Sequence, residues 1–501
     1  MKLSQTIPSR YRLLTLIAVA CVLLLAGAPG RAAAQGVNPF GVEVVQTSAN
    51  LAQHLTPLHD LEFGRASATR LPTIAVNTGV RYQSVGGFGA AMTDTSAWLI
   101  ERELRSAARN ALMNELFAAG GIRLNFVRVP MGASDFTMNG RPYTYDDMAP
   151  GKTDPSLTHF SIAHDEAYIL PALREALAID PQTEFMASPW TPPAWMKAND
   201  SLSNAGNLGT LQSSAYGPWG EYFAKFIRAY AQAGVPIGAI TPQNEPGIPT
   251  AYPGLNFAAG SEANWIVQDL EPALSRAGLH PKLYGDDLGW GPSTNAFATT
   301  AVFGRAGQIL NGLAWHCYFG APGVMNEFRQ AAPRLDQIVD ECSPGRITPT
   351  PTPEIVIASM RDWASTVALW NLALDPHGGP VQVPNHGCSG CVGLATIDER
   401  TGSVSLRLSY YQLGQASAFV VPGAQRIKSA HFVSYAYSQP GVSVVTPGLD
   451  DVAFRNPDGS LVLVAYDNSP AAIRFAVNWS GRSFSYRLPA QAMVTFVWDH
   501  A

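Results

Sequence analysis

Charge is scarce in this sequence: 14% of the 501 residues are Asp, Glu, Lys or Arg, against 47% hydrophobic residues. That balance excludes a disordered chain and favours extensive burial. The basic residues form no run, and a formal net charge of -5 offers no general attraction for nucleic acid or an anionic membrane. Long apolar runs are also missing, apart from one near the start. Lys2, Arg10 and Arg12 precede the stretch from Leu13 to Ala26, and Ala32 with Ala34 offers a cleavage site before Gln35. The stretch is short for a bilayer span of about 20 residues and has the layout of an export leader. Residues 1–34 are therefore expected to be removed, giving an exported protein, extracellular or periplasmic, with no integral membrane segment.

Cysteine is sparse as well. Cys21 falls in the leader, which leaves Cys317, Cys342, Cys388 and Cys391. Four cysteines in an exported chain suit two disulfides, in any of three pairings. Cys388 and Cys391 could close a small loop; no second CxxC pair accompanies them to favour zinc. The histidines form no HExxH motif, and the glycine-rich segments lack a Walker-type lysine and hydroxyl. Neither a metal nor an organic cofactor is expected.

From about Val85 to Leu374 one pattern repeats: a short strand, a polar loop rich in Gly and Pro, then a helix. Candidate strands are Val85 to Met92, Ile122 to Pro130, Glu184 to Ser188, Ile237 to Thr241, Lys282 to Gly285, Gly312 to Tyr318, Gln337 to Glu341 and Thr366 to Leu372. Leu104, Ala108, Leu112 and Leu116 recur every fourth residue, as do Tyr222, Phe226 and Tyr230, which marks helix faces able to cover a sheet. Eight such units predict a closed parallel (β/α)8 TIM barrel of the α/β class, placed at 81–420. An open nucleotide-binding sheet is disfavoured because Gly86, Gly87 and Gly89 do not complete its fingerprint. The C-terminal segment 421–501 contains β-rich pieces such as Leu461 to Tyr466 and Met493 to Trp498 between turn residues, and reads as a β-sandwich. Segment 35–80 is too short for a core of its own and is expected to join that sandwich.

Two strand ends carry the informative acids. Glu245 follows an apolar strand within Thr241-Pro-Gln-Asn-Glu-Pro246, and Pro246 disfavours helix at Glu245. Glu341 ends a second strand, behind Asp340. At a barrel mouth, such a pair suits glycosyl transfer, in which one carboxyl protonates the leaving oxygen and the other attacks the anomeric carbon.

Several separated motifs in the same order resemble glycoside hydrolase family 30, and its glucosylceramidase-like branch in particular. They are Gly87-Phe-Gly-Ala90, Arg128-Val-Pro-Met131, Ala187-Ser-Pro-Trp-Thr191, Asn244-Glu-Pro246, Glu341 with Cys342, and Trp370-Asn-Leu-Ala-Leu374. The resemblance covers nearly the whole mature chain. It implies a retaining β-glycosidase with Glu245 as acid/base and Glu341 as nucleophile. Asp135 and Asn244 would hydrogen-bond sugar hydroxyls, Trp190 and Trp370 would cover the apolar face of the ring, and Arg128 would order the carboxylates. His316 and Tyr318 match the sixth strand end, where they could position the nucleophile or touch the sugar. Between them this chain has Cys317 where the resembling pattern has Trp, and Cys317 could bond to Cys342 beside Glu341. Asp286 and Asp287 are expected to cap a helix or brace loops. The expected substrates are β-glucosides of the glucosylceramidase or β-glucosidase type. A β-1,6-glucanase or β-1,6-galactanase is the alternative, and a non-catalytic carbohydrate-binding protein is a third reading that retention of both acids disfavours.

Overall fold

The computed structural model describes residues 40–291, 298, 304–344, 350–382, 388, 390–430, 437–439, 442–444 and 447–499. The expected leader lies outside them. Eight strands close a barrel: Gly87–Ala91, Phe126–Pro130, Glu184–Ser188, Ile237–Ile240, Lys282–Trp290, Gly312–Gly320, Asp336–Glu341 and Thr366–Leu369. Each pairs in parallel with the next, and the eighth returns to the first through Thr366 opposite Gly87 and Leu369 opposite Ala90. Gly89 permits the close approach of the first and second strands, because a Cβ there would fall 1.8 Å from the Phe126 carbonyl oxygen.

Helices cover the barrel with the faces their spacing predicts. Helix Tyr216–Gln232 buries Tyr222, Phe226 and Tyr230. Helix Ser106–Phe117 buries Leu112 and Leu116, whereas Leu104 precedes it in extended backbone, after a π-helical turn at Leu99–Glu103. The every-fourth-residue spacing thus runs across a break, since Leu104 is buried outside the helix rather than by a continuous one.

The second body is a β-sandwich built from both ends of the described chain. Gly41–Thr47 pairs antiparallel with Met493–Trp498, and the sheet continues through Leu461–Asp467, Leu449–Arg455 and Gln425–Lys428. Strand Thr73–Ser84 serves two partners: its later residues pair with Gln425–Lys428, its first four run parallel to Ile473–Trp479, and Arg482–Leu488 completes that hairpin. Val44, Phe63, Ile74, Leu463, Phe475 and Phe496 fill the space between. Helix Leu408–Ser417 fastens the barrel to it: Gln415 donates to Thr47 Oγ1 at 2.9 Å and its carbonyl accepts from Thr495 at 2.6 Å. Among the described residues, no helix is long and apolar enough to cross a membrane.

Candidate active site

Side chains alternate across a strand, so residues i and i+2 of a barrel strand both face the lumen. Phe126, Met186, Ala239, Tyr284, Ala314, Ile338 and Ala368 form one apolar layer there. Two residues onward on six of those strands stand Arg128, Ser188, Thr241, His316, Asp340 and Trp370. The lumen therefore changes from apolar plug to polar site within a single step of each strand. The fifth strand breaks the rule. A register shift between Asp286 and Leu288, with φ of 76° at Asp286 and 53° at Asp287, turns Asp287 toward the site in place of Asp286. A second shift, on the sixth and seventh strands, sets His316 opposite Glu341.

Arg128 is the hub and is fully buried. Its Nη1 donates to Glu341 Oε2 at 2.5 Å, its Nη2 donates to Asn244 Oδ1 and Asp287 Oδ1 at 2.8 Å each, and its Nε lies 2.8 Å from Asp340 Oδ2. Burial would push the guanidinium down, but Asp287, Asp340 and Glu341 push it up and keep it charged. Trp190 and Trp370 stack on each other at 5.2 Å, and Arg128 lies 4.9 and 5.6 Å from their rings. Only 2% and 1% of these tryptophans is exposed, so most of each ring supports Arg128 and the wall around it.

Asp287 was expected to cap or brace, and what it braces is the site itself. It accepts from Arg128, from His316 Nε2 at 2.9 Å, and from Ser188 and Thr241 at 2.6 Å each. Burial raises its carboxyl, but Arg128 and His316 overcome that and hold it well below the usual range. Its partner acid Asp340 is pushed the other way, up, by burial and by the Asp287 charge.

His316 joins this base to the two glutamates. Its Nδ1 lies 3.2 Å from Glu245 Oε1 and 3.8 Å from Glu341 Oε1. Burial alone would lower the ring, yet Glu341, Asp287 and Glu245 raise it well above its ordinary value, and each ring nitrogen faces a carboxylate. Tyr318 donates to Glu341 Oε1 at 3.0 Å. Burial raises the Glu341 carboxyl, His316 and Arg128 pull it down, and Glu245 and Asp287 push it up; the upward influences prevail.

Glu245 stands in the left-handed region, φ 44°, an uncommon conformation for a residue with a Cβ. The backbone holds it there: Glu245 N donates to the Asp287 carbonyl at 3.0 Å and Asn244 N to the Pro189 carbonyl at 2.8 Å. One carboxylate oxygen of Glu245 and one of Glu341 lie within 4.8 Å of each other. Carboxyl groups about 5 to 5.5 Å apart suit double displacement, whereas the inverting arrangement needs roughly 6.5 to 9.5 Å to admit a water.

Asp135, on the loop after the second strand, is anchored by the Cys388 amide at 3.2 Å. Burial, then the charges of Glu341 and Glu245, push its carboxyl up to about 8. Tyr252, which the sequence reading missed, belongs with these acids: burial and the charges of Glu245, Asp135 and Glu341 raise its phenol, and it packs on the cluster of Phe136, Trp190 and Trp370. It sits in a loop with no periodic signal. Both disulfides border the site. Cys317–Cys342 links the sixth and seventh strands directly behind His316 and Glu341, and Cys388–Cys391 closes the loop that holds Asp135. Among the described residues, two sets of side chains have spacing compatible with a metal ion, Glu245 with His316 and Glu341, and Asp287 with His316 and Asp340. His316 is common to both, and its two nitrogens already serve Glu245 and Asp287.

A closed barrel with a sandwich and two opposed glutamates at its mouth defines a retaining glycosidase. The chain belongs to glycosyl hydrolase family 30: residues 85–325 match that family's TIM-barrel domain and residues 423–496 its beta sandwich domain. It acts on β-glucan or β-glucoside linkages. It is 33% identical over 434 residues to an endo-1,6-beta-D-glucanase of Aspergillus fumigatus, covering 83% of this chain and 85% of that protein. An endo-1,6-beta-D-glucanase of Neurospora crassa is 30% identical over 86% of this chain and 90% of its own length. A solved endo-beta1,6-glucanase superposes with a TM-score of 0.79 at 27% identity, over 92% of this chain and all of that one.

These likenesses correct the assignment to the glucosylceramidase-like branch, since the mouse lysosomal acid glucosylceramidase is 28% identical over 88% of this chain and 86% of its own. The physical reason lies in what the motifs do. Arg128, Asn244, Glu245 and Glu341 gather into one cluster at the end of the barrel lumen, whereas the motifs carry no residue that tells one leaving group from another.

Proposed function

We propose that this chain is an exported endo-β-1,6-glucanase. The observation that carries the reading is the likeness to endo-1,6-β-glucanases at 30 to 33% identity over more than four fifths of both chains. Residues 1–34 serve as the export leader, 81–420 as the catalytic barrel, and 35–80 with 421–501 as the sandwich that braces it.

In the first step Glu245 donates a proton to the glycosidic oxygen while Glu341 attacks the anomeric carbon, forming a glycosyl ester and releasing the leaving chain. In the second, Glu245 takes a proton from water, which displaces Glu341 and releases the sugar with β configuration. Arg128, Tyr318 and His316 hold the attacking carboxylate and stabilise its charge. Asp135 and Asn244 bind hydroxyls of the sugar at the cleaved bond, and Trp190 and Trp370 supply the apolar wall. Incubation with linear β-1,6-glucan tests the reading. Rapid shortening of the polymer to β-1,6-linked oligosaccharides is expected; release of glucose alone from chain ends, or no attack on the polymer, would overturn it.

A further inference from the structure

The loops after the third and fourth barrel strands are knitted into one lobe, and a buried lysine lies at its centre. Lys197 has no exposed surface. Its Nζ donates to Thr191 Oγ1 at 3.1 Å and to the carbonyls of Leu202, Ser203 and Gly254 at 3.0, 2.9 and 2.6 Å. The first three acceptors belong to the loop after the third strand, and Gly254 to the loop after the fourth, which also carries Glu245. None of the four is a carboxylate, so the ammonium is held by dipoles alone, as a bound cation would be. Burying a charge is costly without such a shell, and burial pushes the amine down to about 7.

Other bonds repeat the link. Asn204 donates to the Ile248 carbonyl, Gly254 N to the Leu202 carbonyl, and Asn256 to the Asn207 carbonyl. Gly209 lies so close that a Cβ would fall 2.9 Å from Nζ. The lobe carries Leu208, 68% exposed, the most exposed large apolar side chain among the described residues. The lobe also carries Tyr252, which packs on the cluster of Trp190 and Trp370 and feels the charges of Glu245, Asp135 and Glu341.

We propose that Lys197 is a positioning residue that holds this lobe as the platform for the leaving segment of a β-glucan chain, and so sets the preference for polymer over small glucosides. The inference rests on the endo-glucanase reading. The acid/base protonates the leaving oxygen, so the departing sugars occupy the side from which Glu245 projects. The lobe grows from that residue. Glu245 N donates to the Asp287 carbonyl on the fifth strand, outside the lobe, so loosening the lobe disturbs the leaving side more than the reacting bond.

The test compares kcat and KM for β-1,6-glucan and for an aryl β-glucoside, whose leaving group is too small to span the lobe. Lys197→Met is expected to lower kcat/KM on the polymer at least tenfold more than on the aryl glucoside, mainly through KM. Asn256→Ala, which removes one half-exposed cross-link and keeps the fold, shifts the ratio in the same direction by a smaller factor. If Lys197→Met does not fold, by circular dichroism, Asn256→Ala alone decides. An unchanged ratio in folded variants of an enzyme that cleaves the polymer would overturn the role of Lys197 and leave the endo-glucanase reading intact. A wild-type enzyme inactive on the polymer would overturn both.

Discussion

Tyr318→Phe removes one hydroxyl and nothing else from the wall of the site, which isolates a single contribution to the state of the nucleophile. The lost bond, Tyr318 to Glu341 Oε1 at 3.0 Å, is made to a carboxylate that must be ionised to attack. A hydrogen bond to a charged group contributes about 1.5 to 3 kcal/mol, and Tyr318 is half-buried, so the lower end applies. At 1.36 kcal/mol per pH unit, the Glu341 carboxyl should rise by roughly one unit. It already lies above its ordinary value because burial and the charges of Glu245 and Asp287 outweigh His316 and Arg128. Raising it further disfavours the attacking form at low pH, so the acid limb of kcat/KM should move upward by about one unit while activity above neutrality falls less than tenfold. The assay is the pH profile on an aryl β-glucoside, with melting temperature as the check on folding. An acid limb that stays within ~0.3 unit of wild type, in a folded variant, would show that the phenol does not stabilise the carboxylate.

Three further outcomes are expected. Glu245→Gln should slow breakdown of the glycosyl ester, giving a burst of phenol from an activated aryl glucoside, and azide should restore turnover by forming the β-glucosyl azide; no burst and no rescue would remove Glu245 from the acid/base role. Asp135 is held neutral below about 8, so it can donate to a sugar hydroxyl at neutral pH. Above that it adds a negative charge beside Glu341, and KM should rise through pH 8 to 9 in the wild type but stay flat in Asp135→Asn; a flat wild-type profile would contradict the donor role. Reduction of Cys317–Cys342 should release the sixth and seventh strand ends that carry His316, Tyr318 and Glu341, lowering kcat more than it raises KM. A fully reduced, folded enzyme with unchanged kcat would refute this.

Glu245 and Glu341 were legible as acids at strand ends, and Arg128 and His316 through the motifs that resemble the family. The structure adds the period of two that sets Arg128, His316 and Asp340 two residues beyond the lumen residues Phe126, Ala314 and Ile338. The reading failed where the backbone departs from that period. Asp287 occupies the site through a bulge and two left-handed residues, and such a bulge leaves no trace in an Asp-Asp dipeptide. Lys197 and Tyr252 were invisible for another reason. They lie in irregular loops, where burial depends on contacts between segments far apart in sequence, such as Lys197 with Gly254, 57 residues on. The sandwich was legible as alternating β-rich pieces, but the strand Thr73–Ser84, which pairs on both sides, was not, because its exposed later half carries little apolar alternation. The branch assignment failed because the strongest motifs describe the reacting sugar, whereas the leaving side is built by loops.

The division of labour between the two glutamates can be read from a trapped intermediate. A 2-deoxy-2-fluoro-β-glucoside with a good leaving group should inactivate the enzyme, and peptide mass spectrometry should find one fluoroglucosyl ester on Glu341. A label on any other residue, or none despite turnover of the parent glucoside, would contradict the assignment of Glu341 as the attacking carboxylate.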